Sequence, residues 1–215
     1  MPGGALGYGY TFPSSVAIEF DTYRDTQYDD PSSPHVGIDL NGNLISVVTS
    51  TANAFSNGNV WYAWVNYVGT SQFLQVFVSS SSTKPSTPTL QYPINLYTTL
   101  GSSPTMYVGF GAGSGGLTEE PYVHSWEIVI STFITGGNAV MSSAGTLGLI
   151  SGTNQAGTSF YSTPVTFYEE GSLLNFTSFF SFAINCPTGS GCGNGMSFIV
   201  SLSIHSFAAV WHLSF

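Results

Sequence analysis

The chain has 215 residues and a formal net charge of −9, because 11 Asp and Glu residues face only 2 Lys and Arg residues. This charge cannot neutralise phosphate groups, which excludes nucleic acid and anionic membrane surfaces as partners, and the sequence has no run of about 18 apolar residues for membrane insertion. The 25 Gly, 11 Pro and 15% aromatic residues favour strands and turns, and residues 1–215 fit a single domain.

Alternating apolar and polar residues predict a series of strands in the first part of the chain. In chain order they are residues 15–23, 36–47 with a break at 41–43, 60–68, 73–78, 94–100, 106–112 and 122–130. Residues 69–71 predict a hairpin turn between the third and fourth of these strands. Residues 79–88 are rich in Ser, Thr and Pro and predict a loop.

The rest of the chain has the same pattern of short strand candidates separated by Gly or Pro. They are residues 139–150, 157–167, 178–185 and 195–203. Because many short strands occur without a sustained helical period, the sequence predicts an all-β jelly-roll sandwich of antiparallel sheets.

Two cysteines bear on the compartment of the protein. Cys186 and Cys192 enclose Pro-Thr-Gly-Ser-Gly, a short flexible loop that lets the two sulfurs meet. A disulfide is the favoured interpretation, and two free thiols are the alternative. A disulfide and a Lys-poor composition predict an extracellular or secreted protein, although residues 1–8 lack the basic and apolar regions of a signal peptide.

Acidic residues are concentrated between Val16 and Asp39. Six of the eleven in the chain lie in this stretch, together with one His: Glu19, Asp21, Asp25, Asp29, Asp30, Asp39 and His35. Like charges held close together repel each other unless a positive group lies between them. In a chain with only 6% charged residues, this concentration predicts a bound metal ion.

The strand pattern indicates which of these residues meet. Alternate residues of a strand face the same way, so Glu19 and Asp21 project together. The loop can return its carboxylates toward them, and His35 opens the next strand. A Mn²⁺-like ion is predicted at Glu19, Asp21, Asp30 and His35. Ca²⁺ is predicted at Asp21, Asp25, Asp30 and the backbone carbonyl of Tyr23. Ser46 is expected beside the Mn²⁺ ligands.

The alternative to a metal site is a solvated acidic loop that binds no ion. Glu19 and Asp21 alternate with Val16, Ile18 and Phe20 in a strand that looks like core. Carboxylates without compensation are costly in such a strand, which favours the metal site.

The acidic stretch resembles the signature strand and loop of the legume, or L-type, lectin family. The matching residues are Val16, Ala17, Glu19, Phe20, Asp21, Thr22, Tyr23, Asp30, Pro31, His35, Gly37, Ile38 and Asp39. Residues 57–67 resemble the middle hairpin of the family, and residues 108–115 with 124–126 resemble its late Gly-rich and Ser-Trp motifs. The resemblance implies a concanavalin A-like jelly roll, carbohydrate binding, and Ca²⁺ with Mn²⁺ or another divalent transition metal. It also implies glycans or glycoproteins as partners.

The order of the matching segments predicts a circular permutation in the manner of concanavalin A. Residues 1–130 resemble the C-terminal half of the family and residues 131–205 its N-terminal half, joined near Ser131 and Thr132. The two family termini lie side by side in a sheet, so this exchange can leave the fold intact. We expect one self-contained domain, and a homodimer with swapped halves is the alternative. Residues 206–215 match no part of the family.

Four groups hold a monosaccharide in this family: an Asp after a cis peptide bond, an Asn that also binds Ca²⁺, the amide of a Gly-containing loop, and an aromatic ring. The matching positions are Asn194, Asp25, Gly115 or Gly116, and Tyr23. Asp and Asn have thus exchanged places, which implies that metal binding is retained while sugar preference or affinity is altered. The alternative for Asn194 is a turn residue that supports the loop beside Cys192.

Two rival functions belong to other classes. A jelly-roll glycoside hydrolase would carry Glu-x-Asp-x-Glu on one strand, but Tyr23 stands where the second Glu is needed. Because Tyr is no general acid at neutral pH, the sequence predicts no enzymatic activity. The third possibility is a surface adhesion module in which the metals stiffen the loop and the ligand is a protein.

Overall fold

Two antiparallel sheets packed face to face form the fold in the computed structural model, which describes residues 3–127, 133–141, 146–187 and 191–204. In chain order the strands are β1 (Ser15–Asp21), β2 (His35–Leu40), β3 (Val48–Ser50), β4 (Trp61–Val68), β5 (Phe73–Ser79), β6 (Leu90–Pro93), β7 (Thr105–Gly113), β8 (Glu120–Trp126), β9 (Phe133–Gly137), β10 (Val140–Met141), β11 (Leu147–Gly148), β12 (Ala156–Tyr161), β13 (Val165–Thr166), β14 (Tyr168–Glu169), β15 (Ser172–Leu173), β16 (Phe176–Asn185) and β17 (Gly195–Ser201). A short helix, α1 (Leu96–Thr99), follows β6, and a 3-10 turn (Thr26–Tyr28) follows β1.

The sheet order confirms the predicted all-β sandwich of antiparallel strands. The eight-stranded sheet has the order β3-β2-β1-β17-β7-β12-β9, and β13 also pairs with β7. The opposing seven-stranded sheet has the order β10-β11-β8-β16-β4-β5-β6, and β14 and β15 form a separate hairpin. All strand pairs among the described residues are antiparallel.

Strands that are distant in the chain are neighbours in the sheets. β17 lies between β1 and β7, with Ser15 opposite Ser201 and Asp21 opposite Gly195. In the other sheet, β16 lies between β4 and β8. The residues before the predicted junction and those after it therefore both contribute strands to both sheets. The predicted junction at residues 131–132 lies outside the described residues, and so do residues 206–215, which were expected to match no part of the family.

Most strand predictions are confirmed, and two errors have local causes. Residues 94–100, predicted as a strand, contain α1, because the Asn95 side chain accepts a hydrogen bond from the Thr98 N–H at 3.1 Å and caps a helical turn. Residues 44–47, also predicted as strand, form a loop, because Asn41 and Gly42 adopt left-handed backbone conformations.

Other predicted strands differ in their extent. The strand predicted for residues 15–23 ends at Asp21, and the one predicted for 195–203 ends at Ser201. The strand predicted for 157–167 is interrupted between β12 and β13. The strand predicted for 139–150 contains β10 and β11, with residues 142–145 outside the described part, as are residues 128–130 of the strand predicted for 122–130.

Aromatic rings fill the space between the two sheets. The ring centroid of Phe110 lies 4.8 Å from that of Trp126, 4.9 Å from that of Phe180 and 5.6 Å from that of Phe198. Phe20 of β1 contacts Phe180 in the same core, with the two ring centroids 5.8 Å apart. Because alternate residues of a strand face opposite ways, the neighbours of Phe20 in β1 point away from this core.

Residues 3–12 form a second layer over the outer face of the eight-stranded sheet, which the strand pattern does not predict. Leu6, Tyr8 and Phe12 are buried there in one cluster with Ala17 and Ile199. As a result, all seven residues of β1 are buried, including those that point away from the intersheet core. This layer removes the acidic face of β1 from water.

Two further observations concern the environment of the chain. Cys186 and Cys192 form a disulfide with 5.0 Å between their Cα atoms, which confirms the favoured interpretation of the cysteine pair. The disulfide closes the connection between β16 and β17. In the described part of the chain, no helix has the length and apolar character needed to span a bilayer.

Replacing Phe110 with Ala should lower the free energy of unfolding by about 3–5 kcal/mol, because the ring is fully buried among aromatic neighbours that cannot collapse into the cavity. The matched control is Ile45→Ala, since Ile45 is 50% exposed and its truncation should cost less than about 0.5 kcal/mol. Urea unfolding of both variants at equal metal concentration measures the difference. Equal losses would contradict the assigned core.

Candidate metal centre and ligand pocket

The pairing of β1 with β2 brings three potential metal ligands together. Asp21 lies opposite His35, and Glu19 lies opposite Gly37. Because Glu19 and Asp21 are two residues apart, both face the outer side of the sheet. One potential ligand atom from each of Glu19, Asp21 and His35 lies within 4.8 Å of the others, and all three side chains are buried. These residues form the centre of the candidate metal site.

The loop after β1 returns Asp30 to the same place. Its Oδ1 lies 3.8 Å from Nε2 of His35, and its Oδ2 accepts a hydrogen bond from the Asp25 N–H at 2.5 Å. Arg24 donates from Nε to the Asp30 carbonyl at 3.1 Å, and Asp29 adopts a left-handed conformation that turns the chain. The predicted transition-metal set, Glu19, Asp21, Asp30 and His35, is thus gathered in one place.

His35 is held by contacts at both ring nitrogens. Nδ1 lies 2.7 Å from the Ser32 carbonyl, and Nε2 lies 3.1 Å from Oε1 of Glu19. A proton donated from Nδ1 to Ser32 leaves the lone pair of Nε2 directed at the carboxylates, as in a metal-binding imidazole. Burial lowers the pKa of His35, but the hydrogen bond with Glu19 and the charges of Glu19 and Asp30 outweigh it and raise the pKa overall. A proton and a metal ion therefore compete for Nε2.

Asp21 and Asp30 resist ionisation in the absence of a cation. Burial and the charge of Glu19 raise the pKa of Asp21 well above its usual range, although the Tyr23 N–H donates to Oδ1 of Asp21 at 2.6 Å. Burial likewise raises the pKa of Asp30, opposed by the Asp25 N–H. A divalent cation would supply the missing positive charge. Buried oxygens and one imidazole nitrogen fit a transition metal ion.

A chain of hydrogen bonds through Ser46, Asp39 and Tyr8 leads away from the Glu19 carboxylate. Oγ of Ser46 lies 2.6 Å from Oε1 of Glu19 and 2.6 Å from Oδ1 of Asp39, which agrees with the place predicted for Ser46. The Tyr8 hydroxyl donates a hydrogen bond to Asp39. A Cβ atom at Gly37 would collide with Glu19 and Ser46, so this close approach requires glycine. Burial and the charge of Glu19 raise the pKa of Asp39 well above its usual range.

Sequence reasoning did not single out Tyr8, and it counted Asp39 in the acidic stretch and in the family signature without giving it a specific role. A signal for Asp39 was present, because His35, Gly37 and Asp39 share one face of β2 by the period of two. Tyr8 carries no comparable signal, since it reaches the site only through the layer formed by residues 3–12.

A pocket of about 430 Å³ lies beside the acidic centre and is called the loop pocket here. It is lined by Gly3, Gly4, Tyr23, Asp25, Gln27, Gly115, Gly116, Leu117, Cys192 and Asn194. All five residues predicted to bind carbohydrate, Tyr23, Asp25, Gly115, Gly116 and Asn194, lie in this lining. The Tyr23 side chain is 43% exposed and presents an aromatic surface to a ligand.

Asn194 connects two sides of the loop pocket. Its Oδ1 accepts a hydrogen bond from the Gly115 N–H at 3.0 Å, and its Nδ2 donates to Oδ2 of Asp25 at 2.9 Å. Burial raises the pKa of Asp25, and the hydrogen bond from Asn194 opposes this rise. In the described part of the chain the cis peptide bond joins Ser33 and Pro34, so the bond before Asn194 is trans, unlike that of the family Asp.

Gly3 and Gly4 complete the loop pocket and were not predicted. A Cβ atom at Gly3 would collide with Gly115 and Asn194, and one at Gly4 would lie 2.7 Å from Oδ2 of Asp25. The Gly-Gly pair was visible in the sequence, but the contacts of Gly3 with Gly115 and Asn194, more than a hundred positions away, were not. Residues 3–12 therefore contribute to the loop pocket through Gly3 and Gly4 and to the acidic centre through Tyr8.

Glu119 is a fully buried carboxyl that the sequence analysis also missed. Thr22 donates its hydroxyl to Oε2 of Glu119 at 2.8 Å, and the Gly195 N–H donates to Oε1. These contacts join the residue after β1 to the first residue of β17. Burial raises the pKa of Glu119 to about 7, although both hydrogen bonds oppose the rise.

The chain matches known proteins along most of its length. The legume lectin domain family matches residues 9–135 and, separately, residues 129–211. The expectation that residues 206–215 match no part of the family is therefore wrong for residues 206–211. The L-type lectin-domain containing receptor kinase VIII.2 of Arabidopsis thaliana is 38% identical over 114 residues, which cover 52% of this chain and 16% of the kinase. The receptor kinase VIII.1 of the same plant is 36% identical over 134 residues, covering 59% of this chain and 18% of the kinase.

A lectin from another plant matches a comparable share of the chain. The Flt3 receptor-interacting lectin of Lablab purpureus is 38% identical over 116 residues, which cover 54% of this chain and 40% of that lectin. The alignments thus span between 16% and 40% of the length of these three relatives.

Glu119 should make stability depend on pH. Because folding raises its pKa from an ordinary 4.5 to about 7, the neutral acid stabilises the folded state below pH 4.5, and this contribution is lost as the pH rises through about 7. Glu119→Gln stays neutral, and its amide can accept from Gly195 and donate to Thr22, whose hydroxyl lies 2.9 Å from the Gly193 carbonyl. Relative to wild type, the variant should gain about 2–3 kcal/mol between pH 5 and pH 8.

Urea unfolding in excess chelator measures this gain without metal linkage. Glu120→Gln removes one carboxyl from the adjacent, partly exposed position and is the matched control. A constant difference between wild type and Glu119→Gln across the pH range would contradict the assignment.

Proposed function

Because the chain belongs to the legume lectin domain family, we propose that it is a carbohydrate-binding lectin whose sugar site is organised by Ca²⁺ and an adjacent transition metal ion. The observation that carries the proposal is the adjacency of the buried acidic centre and the loop pocket. Asp25 belongs to both, because its backbone N–H donates to Asp30 and its carboxylate accepts from Asn194 in the pocket.

The ligands divide into two sets. We assign the transition metal, Mn²⁺ or a similar ion, to Glu19, Asp21, Asp30 and His35, because an imidazole nitrogen among carboxylates suits such ions. We assign Ca²⁺ to Asp21, Asp25, Asp30 and the carbonyl of Tyr23, an all-oxygen set. When bound, the ions supply the positive charge that keeps these carboxylates ionised and fixes the loop between β1 and β2.

The residues of the loop pocket then have distinct parts in sugar binding. The Asp25 carboxylate accepts hydrogen bonds from sugar hydroxyls, and the amides of Gly115 or Gly116 and Asn194 donate to them. The Tyr23 ring packs against the apolar face of the sugar ring. Because Asn194 and Asp25 are already hydrogen-bonded to each other, each has one fewer group free for the ligand, which supports an altered sugar preference.

The setting of this activity is part of the same proposal. Residues 1–215 act as one lectin-like domain with the two family halves in exchanged order, and both parts of the chain match the family. An extracellular location agrees with the disulfide and with relatives named as lectins and lectin-domain receptor kinases. Glycans or glycoproteins are the expected partners, a homodimer is the alternative to a monomer, and no enzymatic activity is expected.

Removing metal from the loaded protein at neutral pH should lower its melting temperature by about 5–10 °C, because ions bound only to the folded state stabilise it by about 2–3 kcal/mol. Adding Ca²⁺ and Mn²⁺ back should restore it. His35→Gln and Glu19→Gln should lose the transition metal in elemental analysis, whereas Glu120→Gln should keep it. Unchanged melting in excess chelator would count against structural metals.

A glycan array with both ions supplied tests the sugar site. Asn194→Ala should weaken binding about tenfold or more, because it removes a hydrogen-bonding side chain that also orients Asp25. Metal content should stay unchanged in this variant. Asn53→Ala, a partly buried amide outside both sites, is the control. If metal-loaded wild type binds no saccharide, the lectin proposal fails and a protein ligand becomes the better explanation.

A further inference from the structure

A second pocket lies at the opposite end of the sandwich from the loop pocket. It has a volume of about 390 Å³ and is called the turn pocket here. Its lining consists of Gly69, Thr70, Gln72, Asn95, Tyr97, Tyr168, Gly171, Ser172 and Leu173. Tyr168 lies beside the start of β7, since its N–H bonds to the Pro104 carbonyl, whereas the loop pocket lies beyond the end of β7. The nine residues of β7 separate the two pockets by roughly 26 Å.

Three turns form the walls of the turn pocket and are fixed to one another. The Gly69 N–H donates to Oδ1 of Asn175 at 2.8 Å, and the Ile94 N–H donates to the Gln72 carbonyl at 2.7 Å. A Cβ atom at Gly69 would collide with the backbone of Leu173, so the β4–β5 turn packs directly on the β14–β15 hairpin. The pocket is therefore formed before any ligand binds, which lowers the entropic cost of binding.

An aromatic wall comes from two tyrosines on different elements. The rings of Tyr97, in α1, and Tyr168, in β14, stack with centroids 4.0 Å apart and an angle of 20° between their planes. Both side chains are half-buried, and neither hydroxyl makes a hydrogen bond within the described part of the chain. The wall thus offers an apolar ring surface together with two polar groups at its edge.

The remaining polar groups of the turn pocket are neutral and available. Asn95 uses its Oδ1 to cap α1 through the Thr98 N–H, and its amide NH₂ has no hydrogen-bond partner among the described residues. Gln72, Thr70 and Ser172 add an amide and two hydroxyls. None of the nine lining residues carries a charge. The ligand that this lining fits is neutral, rich in hydroxyl groups, and has one apolar face.

We propose that the turn pocket is a second saccharide-binding site that works without metal. A sugar ring packs its apolar face against the Tyr97–Tyr168 wall, and its hydroxyls accept from the Asn95 amide and exchange hydrogen bonds with Gln72 and the neighbouring hydroxyls. Neither candidate metal ligands nor loop-pocket residues take part. Saccharide binding in the turn pocket can therefore be tested separately from the proposed metal-organised sugar site.

Saturation-transfer NMR in excess chelator tests the proposal, with glucose, galactose, mannose and N-acetylglucosamine as separate probes and adenosine as a planar aromatic comparison. We expect saturable millimolar binding of at least one sugar, unchanged by Asn194→Ala. Tyr168→Leu should weaken it about fivefold to tenfold through loss of the aromatic wall. Asn95→Ser should weaken it similarly, because Ser still caps α1 but lacks the amide donors.

The controls separate the possible outcomes. Tyr62→Leu removes a half-buried ring from another part of the surface and should leave binding unchanged. If no sugar binds in chelator, the proposal is overturned. It is also overturned if binding is abolished by Asn194→Ala but survives both turn-pocket variants, or if adenosine binds there and no sugar does.

Discussion

The burial of several carboxyl groups on one face of β1 and β2 governs much of this structure. Each ionised carboxylate loses water on folding and repels its neighbours, so each requires donors or cations in return. Four groups of the protein donate hydrogen bonds to these carboxylates: the Tyr23 and Asp25 N–H groups, the Ser46 hydroxyl and the Tyr8 hydroxyl. These hydrogen bonds do not offset the cost of burying the charged carboxylates, as the raised pKa values of Asp21, Asp30 and Asp39 show. The charge that is still needed is the physical reason to assign cations here.

The layer formed by residues 3–12 creates this burial and links it to the pocket beside it. Leu6 and Phe12 anchor the layer in apolar contacts, and Tyr8 reaches the acidic network through Asp39. Gly3 and Gly4 lie against the Asn194–Asp25 pair. One short segment therefore sets both the dielectric surroundings of the proposed metal ligands and the shape of the proposed sugar pocket, which makes the two sites interdependent.

The features predictable from sequence are those encoded by local periodicity. Alternation in β1 places Glu19 and Asp21 on one face, and the spacing to His35 allows the return strand to meet them. The misassigned strand at residues 94–100 shows the limit, because a single cap at Asn95 outweighs a β-like composition. Glu119, Tyr8 and Gly3 could not be found in this way. Their roles depend on contacts with Gly195, Asp39 and Asn194, residues far away in the chain.

The position of β17 between β1 and β7 has a consequence for biosynthesis. During translation, residues 15–40 leave the ribosome long before residues 195–201. The edge of β1 that pairs with β17 therefore stays unpaired until β17 has been synthesised. An unpaired edge of this kind is prone to join other chains. Charge repulsion along the acidic face of β1 opposes such association while β17 is awaited. The carboxylates assigned to bind ions in the mature protein would thereby also protect the nascent chain from aggregation.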